Sequence, residues 1–239
     1  MKILAIDTAT PASSVAVGEG DNLLAMNLRV DRTGHLSFLT PAIDMCFDQV
    51  GWTPRDIDAV AVDVGPGPYT GLRIGIAAAQ AVAASLGVPI IPVGSLTALA
   101  WRAATGRRRI WPVVDMRRNQ VATQAFMPVP GGVVTDGPAQ VVSVSEFQAL
   151  LSSDGIETLV VGDVAAVGDG FLRGVQRAKQ GRPRYPTADV ILEIANLRVQ
   201  SGEYSSVDEV RPRYMREPDA VIRWAEFREE GIWPGSETQ

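Results

Sequence analysis

Short apolar runs and turn signals alternate along the first hundred residues. "KILAID" (2–7) is apolar from Ile3 to Ile6 and predicts a strand buried on both faces. "SSVAVGE" (13–19) alternates more and predicts its hairpin partner. After the turn signal Gly20-Asp21-Asn22, "LLAMNLRV" (23–30) predicts a third strand. The period then changes. Leu36, Leu39, Ile43, Phe47 and Val50 recur at helical spacing. Pro41 stands either at the first position of a helix capped by Thr40 or at a kink in a longer one. "IDAVAVDV" (57–64) reads as a strand, Leu72 to Leu86 as a helix and "VPIIPV" (88–93) as a strand, giving the order βββαβαβ.

A similar order follows. "IWPVVDM" (110–116), "QVATQAFMPV" (120–129) and "VVTDGPAQVVSV" (133–144) predict three strands. Ser145 and Gln148 form a capping-box signal for a short helix, "EFQALL". "ETLVVGD" (157–163) predicts a strand and "ADVILEIANLRVQ" (188–200) a helix stopped near Gly202. A meander followed by alternating helix and strand is the ribonuclease H-like pattern. Two in tandem predict an α/β protein of actin/Hsp70/sugar-kinase architecture. Residues 1–105 form the first lobe and 106–210 the second. The segment 211–231 is expected to return to the first lobe: Pro212 suits an extended edge, and Asp219 can cap a helix carrying Val221, Ile222, Ala225 and Phe227.

Composition removes several chemistries. The chain has 239 residues, is 46% hydrophobic and carries a net charge of −5. That balance does not suit a stand-alone nucleic-acid binder. Arg107, Arg108, Arg109, Arg117 and Arg118 make a local basic stretch, read as a solvated face. One cysteine, Cys46, excludes an intrachain disulfide and fits a reducing cytoplasm. One histidine, His35, excludes HExxH and two-histidine metal sites, so no transition metal is expected. GxSxG is absent. Cys46 reads as core and His35 as a surface cap. The opening run is too short for a signal peptide, and no stretch is long enough to span a membrane.

"DVGPGPYTGLRIG" (63–75) carries the densest candidate chemistry. It matches neither G-x-G-x-x-G nor a Walker loop. Its glycines allow close backbone approach, and the residues after it begin a helix whose free N–H groups favour an anion. Gly67, Thr70, Gly71 and Arg73 are therefore candidate nucleotide or anion contacts. Asp7 at the end of the first strand and Asp115 in the second lobe are candidate carboxylates for magnesium held through water. The prolines at 66 and 68 remove two donors, and the alternative is a rigid packing turn. Gly71, Gly75, Ala79 and Ala83, four apart, form a smooth ridge able to accept another helix. Phe38, Ala42 and Met45 lie off the Leu36/Leu39/Ile43/Phe47 row, so the first helix is apolar beyond one stripe. These residues together predict a partner interface.

"ILAIDTAT", "GHLSFLTPAID", "GPGPYTGLRIGIAAAQAVAASLGVPIIPVGSLTALA", "VVDMRRNQV" and "RPRYMREPDA" together resemble the TsaB (YeaZ) family, densely over 1–122 and again at 211–220. That family works with TsaD in forming N6-threonylcarbamoyladenosine at position 37 of tRNAs. TsaD has two metal-binding histidines after the strand matching "VPIIPV"; Ser95 and Leu99 stand there. A Ser-Gly-Gly-His-Thr turn in TsaD becomes Asp115-Met116-Arg117-Arg118. The resemblance implies a cytoplasmic, non-catalytic subunit with no cofactor of its own and an ATP or ADP contact near the partner interface. Its partners would be a TsaD-like protein in a heterodimer and a TsaE-like ATPase in a larger complex, with tRNA reached only through the complex and a homodimer allowed in isolation. The competing readings are an autonomous ATPase of the same superfamily and, more remotely, a glycoprotease-like peptidase.

Overall fold

In the computed structural model, which describes residues 1–31, 34–168 and 170–215, β1 (Lys2–Asp7) lies at the centre of a five-stranded sheet. Its unbroken apolar run follows from that place. Leu4 and Ile6 enter one core while Ile3 and Ala5 enter the other, so neither face has room for a polar residue. β2 (Ala12–Glu19) and β3 (Asn22–Val30) continue the sheet antiparallel; β4 (Ala59–Asp63) and β5 (Ile90–Val93) run parallel to β1. The order is β3-β2-β1-β4-β5.

Two helices cover the Leu4/Ile6 face. α1 (His35–Val50) is one continuous helix with Pro41 inside it, exposed on the outer side. Ser37 Oγ and the Arg29 guanidinium both donate to Gly34 O at its start, and Gly51 ends it at φ 69°, a left-handed position open to glycine. α2 (Tyr69–Leu86) begins at Tyr69, earlier than the period suggested, directly after Pro68.

The second sheet is built on β6 (Arg109–Asp115). β7 (Gln120–Thr123) and β8 (Phe126–Val129) occupy the run expected as one strand; β9 (Gly132–Thr135) and β10 (Gln140–Ser143) occupy the next, split at the Asp136-Gly137-Pro138 turn. α4 (Val144–Ser153) is capped by Ser143 and Glu146, each bonding the other's backbone N–H, not by Ser145 and Gln148. β11 (Thr158–Gly162) pairs parallel with β6, and β12 (Ala178–Gln180) forms the outer edge of the order β10-β7-β6-β11-β12.

The packing redraws the expected lobe boundaries, because the two halves exchange a helix. α3 (Ser95–Ala103), which the sequence pattern did not announce, belongs to the first half of the chain. It buries Leu96, Leu99, Ala100 and Ala103 against Ile110, Val114, Phe126 and Val161 of the second sheet. α5 (Ala188–Gln200) was assigned to the second lobe. Its Val190, Ile191, Leu192, Ile194 and Ala195 instead pack on Ile3, Ala5, Ala61 and Ile91 of the first sheet. Ser14 Oγ accepts the Ala188 N–H at 2.9 Å and fixes its start. Each sheet thus gets a cover from the other half, and full burial of such side chains stabilises by roughly 1.5–3 kcal/mol apiece.

Beyond α5 the chain returns along the first sheet. Ser205 bridges Ile90, and the Arg213 N–H donates to Val64 O at 2.7 Å. Residues 211–215 lie on the first lobe. The helix expected from Asp219 to Phe227, like the rest of 216–231, lies outside the described residues.

Candidate functional site

The ends of β1, β4, β6 and β11 face one another across a cleft between the lobes. Asp7 ends β1 and Asp63 ends β4. Neither reaches the cleft: Asp7 is 0% and Asp63 2% exposed. One oxygen of Asp7 accepts the Ala9 N–H at 2.9 Å. One oxygen of Asp63 accepts both the Gly65 N–H at 2.8 Å and the Ser95 hydroxyl at 2.7 Å. The remaining oxygens, Asp7 Oδ2 and Asp63 Oδ2, are buried with no hydrogen-bond partner, and the two carboxyls act on each other electrostatically. One of them must hold a proton. Burial, and then the charge of Asp63, push Asp7 well above the usual carboxylate range. Burial also raises Asp63, to about 7, against the lowering pull of Ser95, Gly65, Asp7 and Arg213. Asp7 is therefore the carboxyl that stays protonated beside Asp63. The expected magnesium-linked Asp7 is corrected: it is sealed in the sheet, facing another carboxyl.

The glycine loop is a packing turn. A Cβ at Gly67 would stand 2.0 Å from Ala9 O, one at Gly71 2.2 Å from Thr8 O, and one at Gly75 2.4 Å from Thr8 Oγ1. Thr8 Oγ1 donates to Gly71 O at 2.7 Å. These three glycines are the seam on which α2 and the loop before it rest against the segment after β1. Thr70 and Arg73 lie exposed on the first turns of α2. Arg73 Nε donates to the Tyr214 hydroxyl at 2.9 Å, and its guanidinium sits 3.9 Å from the centre of the Tyr69 ring.

The expected interface residues divide in two. Gly75, Ala79 and Ala83 face inward with Leu39 and Ala42, all buried under α1 and α2. The ridge is smooth because the chain's own Thr8 and first sheet lie against it. Phe38 is half-buried, whereas Leu36 is 72% and Met45 52% exposed. On α2 the outward row is Arg73, Ala77 and Ala81.

Asp115 alone among the expected carboxylates reaches the cleft. It accepts the Arg117 N–H at 2.8 Å and pairs with the Arg117 guanidinium at 3.5 Å. Arg117, Arg118 and Asn119 all have left-handed φ (64°, 50° and 59°), and the bond to Asp115 helps hold this tight turn. Opposite, Asp163 accepts two bonds from Arg184, at 3.1 and 3.0 Å. The sequence reading missed both. Asp163 had a signal, a carboxylate just after β11; Arg184 lies in an irregular loop and had none. Each cation in the cleft is thus answered by its own carboxylate. The space left among Thr10, Pro68, Leu99, Asp115, Arg117 and Arg184 is about 20 Å³, room for about one water. Among the described residues no group of three His, Cys, Asp or Glu side chains could hold a metal ion.

His35 is not a surface cap. It is 8% exposed, and Ser13 Oγ lies 2.6 Å from its Nδ1. Burial lowers its pKa from the usual value of 6.5, against a raising pull from Asp31. A serine–histidine pair therefore exists, but Ser13 is 2% exposed and no substrate reaches it. Cys46 is core, accepting an N–H from Asn27 at 3.1 Å, and burial raises its thiol pKa.

A family model described as TsaD: tRNA N6-adenosine threonylcarbamoyltransferase matches residues 29–224. The tRNA threonylcarbamoyladenosine biosynthesis protein TsaB of Bacillus subtilis is 30% identical over 236 residues, covering 95% of this chain and 99% of that protein. The solved structure of YeaZ from Pseudomonas aeruginosa superposes with a TM-score of 0.75 at 25% identity, covering 89% of this chain and 99% of that one. The activator of 2-hydroxyisocaproyl-CoA dehydratase from Clostridium difficile superposes at 0.53 with 11% identity, covering 88% and 98%, a likeness of fold alone.

Proposed function

The chain belongs to the TsaB (YeaZ) family, and from that premise we propose that it acts in tRNA threonylcarbamoyladenosine biosynthesis as the non-catalytic partner of a TsaD-type transferase. The observation that carries the second half of this reading is the sealed Asp7–Asp63 pair. An ATP-dependent enzyme of this architecture would need a carboxylate from each lobe in the cleft, and among the described residues lining it the carboxylates, Asp115 and Asp163, both come from the second lobe. The cleft arginines are moreover already paired with the chain's own carboxylates, Arg117 with Asp115 and Arg184 with Asp163, which favours this reading. Ser95 and Leu99, at the positions of the TsaD histidines, serve as a hydrogen-bond donor to Asp63 and as core. An ATP or ADP contact near the interface would be completed by the partner.

The partner face on this reading is the outer side of α1 and α2, centred on Leu36, Met45, Ala77 and Ala81. Leu36 and Met45 stand exposed on opposite flanks of α1, and the alanine row of α2 lets another helix approach closely. A TsaE-like ATPase joins the larger assembly, tRNA is met within it, and the free chain pairs with itself where the transferase is missing. Among the described residues no helix is long and apolar enough to cross a membrane, in keeping with a cytoplasmic place. The test is co-purification with the TsaD-type protein of the same organism, then the modification assay with and without this chain, and an ATP turnover assay on the chain alone. Complex formation, dependence of modification on the chain and no turnover by it alone are expected. Turnover by the isolated chain would overturn the non-catalytic reading.

A further inference from the structure

Four arginines of the second lobe are answered by carboxylates. Arg108 pairs with Glu157, Arg109 with Asp136 and Asp154, Arg117 with Asp115 and Arg184 with Asp163. One edge breaks this habit. From Gly170 to Ala188 the sequence has no Asp or Glu, yet it carries Arg173, Arg177, Lys179, Arg182 and Arg184. Arg177 is anchored on Gly155 O and Arg184 on Asp163. Arg173, Lys179 and Arg182 are exposed, and among the described residues no carboxylate pairs with them.

Arg173 lies in the turns that lead into this edge, and the stretch holding Lys179 and Arg182 is fastened to β11 by its backbone. The Thr158 N–H donates to Arg177 O, the Gly181 N–H to Val160 O and the Gly162 N–H to Pro183 O, so residues 177–183 run as a rail along β11. Exposed cations spread along a segment that carries no acid suit a linear polyanion better than a small anion, which needs converging donors.

We propose that this edge, through Arg173, Lys179 and Arg182, binds the phosphate backbone of an RNA. The proposal rests on the reading above, that the chain works within a tRNA-modifying complex, and adds that the chain itself contacts the RNA there. Phosphate contacts position an RNA without reading its sequence. The edge would thus hold the tRNA body while the partner carries out the chemistry. The net charge of −5 does not oppose this, because residues 170–188 carry no acid and phosphate contacts act within about 8 Å at physiological salt.

The experiment measures the affinity of unmodified tRNA for the assembled complex of this chain and its transferase, at several salt concentrations. It compares the wild type, the triple variant Arg173→Gln, Lys179→Gln, Arg182→Gln, and the first-lobe control Arg55→Gln. Co-purification of each variant with the transferase is scored in parallel. The triple variant is expected to keep the transferase, to bind tRNA at least tenfold more weakly at low salt, and to lower the slope of log affinity against log salt by about two. The control should change neither. An unchanged slope and affinity with the complex intact would overturn the proposal, as would an equal loss in the control. A wild-type chain that binds no transferase would instead strike at the partner-subunit reading. In that case tRNA binding by the chain alone, lost in the triple variant, would still uphold the edge, and its absence would overturn it.

Discussion

Asp7 and Asp63 end the neighbouring parallel strands β1 and β4 as two buried carboxyls that act on each other out of reach of solvent. Both groups bind a proton more tightly in the fold than in the unfolded chain, where a carboxyl ionises near 3.9. Unfolding above that value releases protons. Stability is therefore greatest on the acid side and is lost as pH rises towards the Asp63 value of about 7, by up to about 1.4 kcal/mol per pH unit for each proton released. Asp7→Asn removes one titrating group. Urea unfolding between pH 5 and 9 should then give a shallower pH dependence than wild type. An identical dependence would show that Asp7 does not stay protonated in the fold.

His35 acts with the opposite sign. Burial holds its pKa below 6.5, so just under that pH the unfolded chain takes up a proton the fold refuses. Its contribution is present above pH 6.5 and lost as pH falls through the window below. His35→Gln should retain a partner for Ser13 and weaken the drop in stability between pH 6.5 and 5, seen in the same urea series. The imidazole resonances of the wild type, followed by NMR, should titrate below the ordinary histidine value; titration at or above it would refute the assignment.

These pairs show what a linear pattern carries. The apolar run of β1 was legible because burial on both faces leaves its mark within four residues. The four-residue spacing of Gly71, Gly75, Ala79 and Ala83 was legible too, as a sign of close approach, but it does not say what approaches. Thr8 does, from the chain's own loop. Asp63 was visible as the end of a strand; that Asp7 and Ser95 converge on it depends on a parallel pairing between distant segments. The exchange of α3 and α5 was illegible for the same reason. Both are apolar enough to be covered, and nothing local states by which sheet.

The seam and the outward row of α2 should respond differently to substitution. Gly75→Ala places a methyl 2.4 Å from Thr8 Oγ1, inside contact distance of a hydroxyl held by Gly71 O. Overpacking of this kind costs about 1–3 kcal/mol, read as a lowered Tm. Ala77→Glu and Ala81→Glu lie on the exposed row and should change stability by no more than about 0.5 kcal/mol. If that row faces the transferase, they should abolish co-purification, because the new charge would be desolvated against the partner helix. Full retention of the transferase by both variants, together with Leu36→Asp and Met45→Asp, would move the interface away from α1 and α2.

Tyr214 fastens the returning chain to the start of α2. Its ring stacks on Tyr69 with centroids 5.0 Å apart, its hydroxyl accepts the Arg73 Nε–H, and the nearby Arg213 N–H ends on Val64 O. Arg213 also lowers the pKa of Asp63, so this strap and the buried acid pair are linked by charge. An aromatic pair contributes about 0.5–1.5 kcal/mol beyond its buried area. Tyr214→Ala should remove that contribution and free the Arg73 side chain, while Tyr214→Phe keeps the stack and loses only the hydroxyl acceptor. Hydrogen exchange is the discriminating measurement. The Arg213 amide should exchange at least several-fold faster in Tyr214→Ala and nearly as in wild type in Tyr214→Phe, with the amides of β1 unchanged in both. Equal exchange at Arg213 in all three proteins would mean that the backbone bond to Val64 holds the strap without the aromatic contact. Acceleration in β1 as well would mean that the strap is part of the global fold and not a separately fastened element.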